Sequence, residues 1–205
     1  MTSPSRPRPE ARPERASGEG AGVLSLAGVD LTTETLRTER LVLRPYRLAD
    51  ADPVFRACTD PESRRWLTLP DPYTPDDAVE FVGTTTVAAR AEQQGLMTAV
   101  EADGEFVGSA GLHFPSTLLG PGIGYWIAPW ARGRGYAAEA ARALADWAFG
   151  HGAPRVHLFA DVGNAASQSV ARRAGFTDEG IVRGCLPYRD RPRGDAVLFS
   201  RLPGE

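Results

Sequence analysis

The strand–turn–helix signal in residues 129–149, PWARGRGYAAEAARALADWAF, constrains the fold of this chain more than any other feature. An apolar, strand-like segment, GYWIAP, leads into it, and glycines then alternate with Arg132 and Arg134. From Tyr136 onward, alanines and larger apolar residues recur at helical spacing until Gly150, which predicts an amphipathic helix that ends there. A chain that passes from strand to helix through a glycine turn favours an α/β fold.

The mouth of this helix predicts a binding site for an anion that carries phosphates. The first N–H groups of a helix lack intrahelical acceptors and stand at the positive end of its dipole. Glycine lets a phosphate come close to them, and Arg132 and Arg134 add positive charge. A tight turn with solvated arginines explains the same residues equally well. A P-loop and a dinucleotide-binding unit are disfavoured, because the sequence has neither the Gly-Lys-Ser/Thr ending nor the G-x-G-x-x-G spacing at this turn.

The other segments alternate between strand and helix patterns. Before the glycine turn, LRTERLVLRPY predicts a strand, LADADPVFRACTD a short helix, PESRRWLTLPDPY a loop, TPDDAVEFVGTTTVAARAEQQG a helix, and LMTAVEADGEFVGSAGLHF two strands around a turn. After the long helix, RVHLFADV predicts a strand, NAASQSVARRAG a helix, and FTDEGIVRG and DAVLFSRL the last two strands. This order predicts a mixed α/β sheet with at least one parallel crossover.

Composition indicates one folded domain behind an unstructured N-terminal segment. The 205 residues, of which 42% are apolar, can bury one substantial core. The first residues, MTSPSRPRPEARPERASGEG, contain no large apolar side chain after Met1 and cannot offset the entropy of ordering. We therefore expect a disordered Pro/Arg/Gly-rich tail over residues 1–33 and a single domain over residues 34–205. A signal peptide is disfavoured, because glutamates interrupt the basic start.

Charge and residue usage argue against several function classes. A formal net charge of -3 offers no basic field for nucleic acid, and no apolar run approaches the length of a membrane span. Cys58 and Cys185 lie far apart, and the histidines lack metal-ligand spacing. We expect a reduced, cytoplasmic protein without a metal site. The sequence leaves open whether the protein is a monomer or a homodimer.

Taken together, these motifs resemble the GCN5-related N-acetyltransferase (GNAT) family. Its acyl-CoA motif, Q/R-x-x-G-x-G/A, is filled by Arg132, Gly135 and Ala137. NAASQSVARRAGF is similar to the N-x-x-S…GF element of the subgroup related to ribosomal-protein N-terminal (RimJ/RimL-type) acetyltransferases, as are TERLVLRPYRLADADPVF and PYTPDDAVEFV. The resemblance covers residues 36–202. It implies a mixed, mostly antiparallel, twisted sheet with a central splay between two parallel strands, flanked by about four helices.

The resemblance implies that acetyl-CoA, the acetyl donor, binds at the glycine turn. In the family, backbone N–H groups of this loop hold the CoA pyrophosphate, which assigns that role to Arg132, Gly133, Arg134, Gly135, Tyr136 and Ala137. The strand residue that matches Ile127 carries a bulge in the family, so that its N–H faces the thioester oxygen. A splay beside this strand would open a slot for the pantetheine arm.

Asn164 and Ser167 match family residues at the start of the helix NAASQSVARRAG. Asn164 is expected to contact the CoA arm, and asparagine at this position is also a common N-cap. The serine that matches Ser167 is proposed in the subgroup to protonate the departing CoA thiolate; the alternative is a serine merely exposed in the first helical turn. Ala171 replaces the tyrosine acid of many family members, which leaves Ser167 or water for that step.

The general base stays unassigned in the sequence. Leu186 occupies the position of the acidic base proposed for the subgroup, so an aligned carboxylate is missing. Glu179, Asp190 and His113 are the substitutes that the sequence offers.

The implied function is an enzyme that moves an acetyl group from acetyl-CoA to a primary amine by direct attack on the thioester. The acceptor is either a protein N-terminal α-amine or a small-molecule amine. Trp66 and Tyr73 lie in the segment that forms the acceptor wall in the family, where they either line the amine pocket or anchor a long loop. The missing tyrosine and acid support a second interpretation, a catalytically silent CoA-binding regulatory or interaction module.

Overall fold

The computed structural model describes residues 24–115, 119–188 and 192–205 of the chain. The strands are β1 (Leu36–Arg37), β2 (Val42–Arg44), β3 (Gly95–Ala102), β4 (Glu105–His113), β5 (Gly122–Ile127), β6 (Val156–Asp161), β7 (Thr177–Leu186) and β8 (Gly194–Arg201). The helices are α1 (Ala51–Cys58), α2 (Pro61–Trp66), α3 (Pro75–Glu80), α4 (Thr86–Ala91), α5 (Tyr136–Gly150) and α6 (Ala165–Arg173). A π-helical turn, Phe81–Thr85, joins α3 to α4 without a break.

The strands form a single sheet in the order β1-β2-β3-β4-β5-β6-β8-β7. Neighbouring strands pair antiparallel except β5 and β6, which are parallel because α5 carries the chain back between them. The β5–β6 ladder holds one pair, Gly122 with His157, and the two strands diverge beyond it. The predicted fold class, a mixed and mostly antiparallel sheet with a central splay between parallel strands, is confirmed.

Alternation of side chains along the strands builds one core on each face of the sheet. The larger core lies under α5 and α6 and includes the fully buried Leu144, Leu158 and Phe199. The smaller core lies under α1, α3 and the π-helical turn and includes Val54 and Val82. The sheet is therefore covered on both faces, and the gap between β5 and β6 connects the two helical layers.

The folded part begins earlier than the sequence predicts. The expectation of a disordered tail over residues 1–33 is wrong for residues 24–33, because Leu31 is 2% exposed and other apolar side chains of this segment pack against the larger core. The Ser25 N–H also donates to the His151 carbonyl oxygen at 2.8 Å. Leu24, Leu26 and Val29 therefore serve packing, and residues 1–23 lie outside the described part of the chain.

Local hydrogen bonds, one at a helix cap and one in a turn, explain two further differences from the prediction. The segment predicted as a loop begins with α2, because Asp60 accepts the Ser63 N–H at 3.0 Å and Pro61 takes the first helical position. The single predicted N-terminal strand is two short strands, β1 and β2, joined by a turn in which the Thr38 N–H donates to the Leu41 carbonyl. Across residues 24–115, 119–188 and 192–205, no helix has the length and apolar character that crossing a membrane requires.

Candidate active site

The N-terminus of α5 presents unpaired backbone donors, as the sequence predicts. Gly133 and Gly135 have φ angles of 78° and 82°, a left-handed conformation that glycine adopts without strain. Gly135 is the N-cap residue, so no side chain of its own can cap the helix. The first intrahelical bond runs from the Glu139 N–H to the Gly135 carbonyl at 3.2 Å. The N–H groups of Tyr136 and Ala137 therefore precede the intrahelical ladder and suit an anion.

The two loop arginines have different surroundings. Arg132 is hydrogen-bonded to protein groups at the surface: its Nη2 lies 2.7 Å from Asp60 Oδ2 and 2.8 Å from Ser63 Oγ, and its Nε donates to the Ile127 carbonyl at 3.2 Å. The expectation that the Arg132 guanidinium reaches toward a phosphate does not match this position. Arg134 is exposed, with one long contact to the Trp130 carbonyl at 3.4 Å. Its side chain keeps the expected freedom to approach a ligand.

Arg40 is a cation at the same helix mouth that the sequence does not reveal. Its Nη1 donates to the Arg134 carbonyl at 3.0 Å, and its guanidinium lies 5.2 Å from the centre of the Tyr136 ring. Arg40 also pairs with Glu139, a carboxylate in the first turn of α5. Because Arg40 neutralises this carboxylate, the helix mouth stays favourable for an anion. Only the tertiary contact between the β1–β2 turn and α5 brings this cation here.

Every second N–H group of β5 points into the gap between β5 and β6. The Ala128 N–H donates to the Val107 carbonyl of β4 at 2.9 Å, and the pairing is regular from Ile127 back to Gly122. In an antiparallel ladder the hydrogen-bonded pairs alternate, so the N–H groups of Tyr125 and Ile127 point away from β4 and toward β6. Since β6 diverges after one pair, these donors face the gap in which an extended ligand can pair with β5.

The predicted bulge at Ile127 is wrong. The β4–β5 register runs without a shift from Gly122 to Ile127. The irregularity lies one strand away, where the β3–β4 register shifts between Val100 and Glu101 and skips Val107. The physical reason is the splay itself: β5 exposes its donors by losing its neighbour, so it needs no extra residue to release them.

A cavity of about 320 Å³ passes through this splay. Its walls include Tyr125, Asn164 and Ser167 from the α6 side and His113 and Trp126 from the side of the smaller core. Gly124 of β5 forms part of the wall without a side chain, and a Cβ built there would lie 3.7 Å from His113 Nε2. The cavity therefore gives two molecules, one from each face of the sheet, a place to meet.

Two hydroxyl groups meet where α6 borders the cavity. Asn164 Oδ1 accepts the Ser167 N–H at 2.9 Å, so the predicted N-cap is observed, and Asn164 is also a lining residue of the cavity. The Tyr125 Oη lies 3.1 Å from both Ser167 Oγ and the Ser167 carbonyl oxygen. Burial raises the Tyr125 pKa to about 12, against a smaller opposite effect of the Ser167 contact. Ala171 is fully buried in the core and brings no hydroxyl.

The predicted substitutes for the general base have different positions. His113 lines the cavity. The residue is exposed, but the surrounding protein removes part of the water around its ring, and this desolvation lowers its pKa below 6.5. Glu179 is not a lining residue, because it pairs with Arg155 and accepts a hydrogen bond from Ser200. Asp190 lies outside the described residues.

A carboxylate that the sequence does not single out, Asp161, also lines the cavity. It stands at the end of β6 and accepts the Tyr188 hydroxyl at 2.6 Å and the Gly163 N–H at 2.7 Å. Leu186, which replaces the aligned acid, faces the same cavity with an apolar side chain. No sequence motif marks Asp161, because its position depends on where β6 ends beside the splay.

Of the two residues expected in the acceptor wall, one lines the cavity and the other does not. Trp66 lines the cavity, and its indole Nε1 donates to Glu62 at 2.7 Å. Tyr73 is not among the lining residues: it is 9% exposed, belongs to the smaller core and stacks on Phe55 with 6.3 Å between ring centres. Its assignment to the amine pocket is therefore wrong, and the alternative, an anchor for the long loop, fits its position.

Residues 40–177 match the model of the acetyltransferase (GNAT) domain family. The chain belongs to the GNAT family. Among curated proteins, an uncharacterized N-acetyltransferase of Bacillus licheniformis, p20, is 28% identical over 178 residues, which are 84% of this chain and 98% of p20. GNAT membership and such relatives confirm the prediction of an acetyltransferase enzyme with acetyl-CoA as cosubstrate.

Solved GNAT structures share the fold of this chain. The microcin C7 self-immunity acetyltransferase MccE, in complex with acetyl-CoA and AMP, has a TM-score of 0.73 at 17% identity and covers 87% of this chain and 98% of its own. The RimL ribosomal L7/L12 α-N-protein acetyltransferase, in complex with coenzyme A, has a TM-score of 0.72 at 20% identity. The match covers 82% of this chain and 98% of the RimL chain. The putative ribosomal N-acetyltransferase YdaF of Bacillus subtilis is 30% identical over 172 residues, which are 82% of this chain and 93% of YdaF, and it confirms the predicted likeness to ribosomal-protein acetyltransferases.

Proposed function

We propose that this GNAT domain transfers the acetyl group of acetyl-CoA to a primary amine that enters from the opposite face of the sheet. The observation that carries the proposal is the cavity at the β5–β6 splay, together with the open N-terminus of α5, the long helix that follows β5 in the chain. The helix mouth fits a pyrophosphate, because its N–H groups are uncapped and Arg40 offsets the charge of Glu139. The N–H groups of Tyr125 and Ile127 fit an amide-bearing arm that pairs along β5.

The acetyl carbonyl would lie where β5 directs its N–H groups into the cavity. A backbone donor fixed in a sheet stabilises the oxyanion that forms when an amine attacks the thioester. Both reactants are bound in one cavity, so the attack gains from proximity, and no covalent enzyme intermediate is required. The C–N bond forms, the C–S bond breaks, and the electron pair of that bond stays on sulfur.

Three proton transfers accompany this reaction. The ammonium group loses one proton before the attack, because it has no lone pair, and unperturbed amine pKa values run from about 8 to above 10. The same nitrogen loses a second proton to water as the tetrahedral intermediate collapses to the amide. His113 is the proposed base: its lowered pKa keeps the imidazole neutral near pH 7, and it lines the cavity on the side from which the amine enters. The sulfur must gain one, and Ser167 at the α6 wall is the proposed donor, with its own proton replaced from water.

The acceptor is proposed to be either a protein N-terminal α-amine or a small-molecule amine. Trp66 and Trp126 provide apolar surface at the acceptor side of the cavity, and both classes present an amine on a carbon chain that such surface can contact. RimL, an α-N-protein acetyltransferase, supports the first class only as a protein of the same fold.

The test is thiol release from acetyl-CoA in the presence of an acceptor panel. The panel contains peptides with a free N-terminus, the same peptides with the N-terminus blocked and an internal lysine kept, and alkyl amines. We expect thiol release that depends on one of these amines, together with a mass increase of one acetyl group on the acceptor. Calorimetric binding of CoA without acceptor-dependent thiol release for any member would instead support the silent CoA-binding module.

A further inference from the structure

Tyr125 places a second hydroxyl beside Ser167, and no step described above uses it. The phenol reaches from β5 across the cavity wall to the first turn of α6, where its Oη lies 3.1 Å from Ser167 Oγ and 3.1 Å from the Ser167 carbonyl oxygen. Asn164 holds the same serine through its N–H at 2.9 Å. Ser167 is therefore fixed from two sides, by its N-cap and by a tyrosine of the neighbouring strand.

The two contacts decide which group donates. A carbonyl oxygen can only accept, so Tyr125 donates when it bonds to the Ser167 carbonyl. With that proton engaged, the contact between the two hydroxyl oxygens requires the Ser167 O–H as donor. When a thiolate forms in the cavity, the Ser167 O–H can turn toward sulfur, and the Tyr125 O–H can turn from the carbonyl to Ser167 Oγ without moving the ring. Both oxygens of the serine lie at the same distance from Tyr125, so this exchange needs no displacement.

Tyr125 keeps its proton at neutral pH, because burial raises its pKa to about 12. The phenol therefore stays protonated throughout and acts by hydrogen bonding.

We propose that Tyr125 is a positioning residue for acetyl transfer: it holds the Ser167 hydroxyl toward the cavity and donates to Ser167 Oγ while that oxygen gives its proton to the departing sulfur. This role rests on the proposed function. Tyr125 also brings a hydroxyl from β5 to the α6 wall of the cavity. Ala171 of α6 cannot provide one, because it is buried and has no hydroxyl.

The experiment measures the cost of Tyr125→Phe in three backgrounds: wild type, Ser167→Thr, which keeps the hydroxyl, and Ser167→Ala, which removes it. Turnover is followed as thiol release from acetyl-CoA with the fastest peptide or alkyl amine of the panel. We expect Y125F to lower kcat by about tenfold in the wild type and in S167T, and by less than about twofold in S167A. The KM for acetyl-CoA and the calorimetric Kd for CoA should change by less than about twofold, because Tyr125 is not part of the helix mouth.

The outcomes separate the role of Tyr125 from the proposed function. If wild-type protein releases no thiol with any panel member, the acetyl transfer fails, and the role of Tyr125 fails with it. If the wild type is active but Y125F costs the same in the wild type and in S167A, Tyr125 only packs α6 against β5, and the positioning role is overturned while acetyl transfer stands. A fall in the melting temperature of Y125F, equal in both backgrounds, would accompany that second outcome.

Discussion

Arg132 and Asp60 form an ion pair, with 2.7 Å between Nη2 and Oδ2, that ties the glycine turn before α5 to the N-terminus of α2. Partial burial opposes the charge of Asp60, but the hydrogen bonds from Arg132 and from the Ser63 N–H outweigh it and hold the Asp60 pKa below its usual range. The Arg132 side chain thus joins the loop that faces the proposed CoA phosphates to the helix that carries Trp66 to the cavity.

The Arg132→Ala variant should therefore cost stability more than CoA affinity. Loss of the pair with Asp60 and of the bond to the Ile127 carbonyl should lower the free energy of unfolding by about 1 kcal/mol. Arg134→Ala is the matched control in the same loop: it should leave stability unchanged and weaken CoA a few-fold, because its exposed side chain is free to meet a phosphate. Urea unfolding and calorimetry measure the two quantities, and the reverse pattern would contradict this assignment of the two arginines.

A charge placed at the helix mouth should block CoA without unfolding the protein. Gly135 has a φ of 82°, so most substitutions add strain, but asparagine and aspartate tolerate this conformation better than other residues. Gly135→Asn and Gly135→Asp are nearly isosteric and differ by one negative charge. We expect G135D to bind CoA about 10- to 100-fold more weakly than G135N at low salt, with similar melting temperatures. Equal affinities would show that no phosphate lies at this turn.

The sequence predicts the donor side of the site well because the relevant signals are local. Glycine at a strand–helix junction and asparagine at a helix start each act on their own backbone, so the open mouth of α5 and the cap at Asn164 follow from neighbouring letters. The order of strands and helices likewise predicts the parallel crossover, whereas the splay is implied by the resemblance to the GNAT family. Arg132 shows the limit: its loop position is predictable, but its partner lies 72 positions away.

Other parts of the site depend on contacts that no short motif records. Asp161 and Arg40 reach their positions through the end of β6 and through a turn packed against α5. Tyr125 lies in a predicted strand, but its contact with Ser167 depends on the width of the splay. Tyr73 is wrongly assigned because the sequence of a long loop does not distinguish an aromatic residue that lines a pocket from one that packs into a core, as Tyr73 does.

The proposed base predicts a specific pH dependence. The His113 pKa is lowered below 6.5 by burial, so its lone pair is available at pH 7 and is lost to a proton only as the pH falls through that lowered value. The wild-type kcat/KM should therefore show an acidic limb below pH 6.5, separate from the amine limb near or above about pH 8. His113→Gln should remove the acidic limb and lower kcat about 100-fold with the Kd for CoA unchanged. An unchanged acidic limb in H113Q would assign the base to another group.

Stability should fall in mild acid because of His157, which is 6% exposed at the start of the splay. Burial lowers its pKa below 6.5, and its Nδ1 lies 3.1 Å from the Leu119 carbonyl, which requires a proton on Nδ1. The unfolded chain binds a proton more readily than the folded chain between that lowered pKa and 6.5. The contribution of His157 to the free energy of unfolding is therefore complete above pH 6.5. It decreases as the pH falls below 6.5, by at most about 1.4 kcal/mol per pH unit.

The carboxylates with lowered pKa values do not interfere with this measurement. Glu139 and Glu179 have folded-state pKa values below 4.5, so the stability they contribute is lost only in stronger acid. Urea unfolding of wild type and of H113Q at about pH 7.5 and about pH 5.5 isolates the histidines, and NMR titration of the His157 ring gives its pKa directly. We expect a lower urea midpoint at the acidic pH that persists in H113Q, because His157 still resists protonation there. A His157 titration at or above 6.5 would remove the physical basis of the effect.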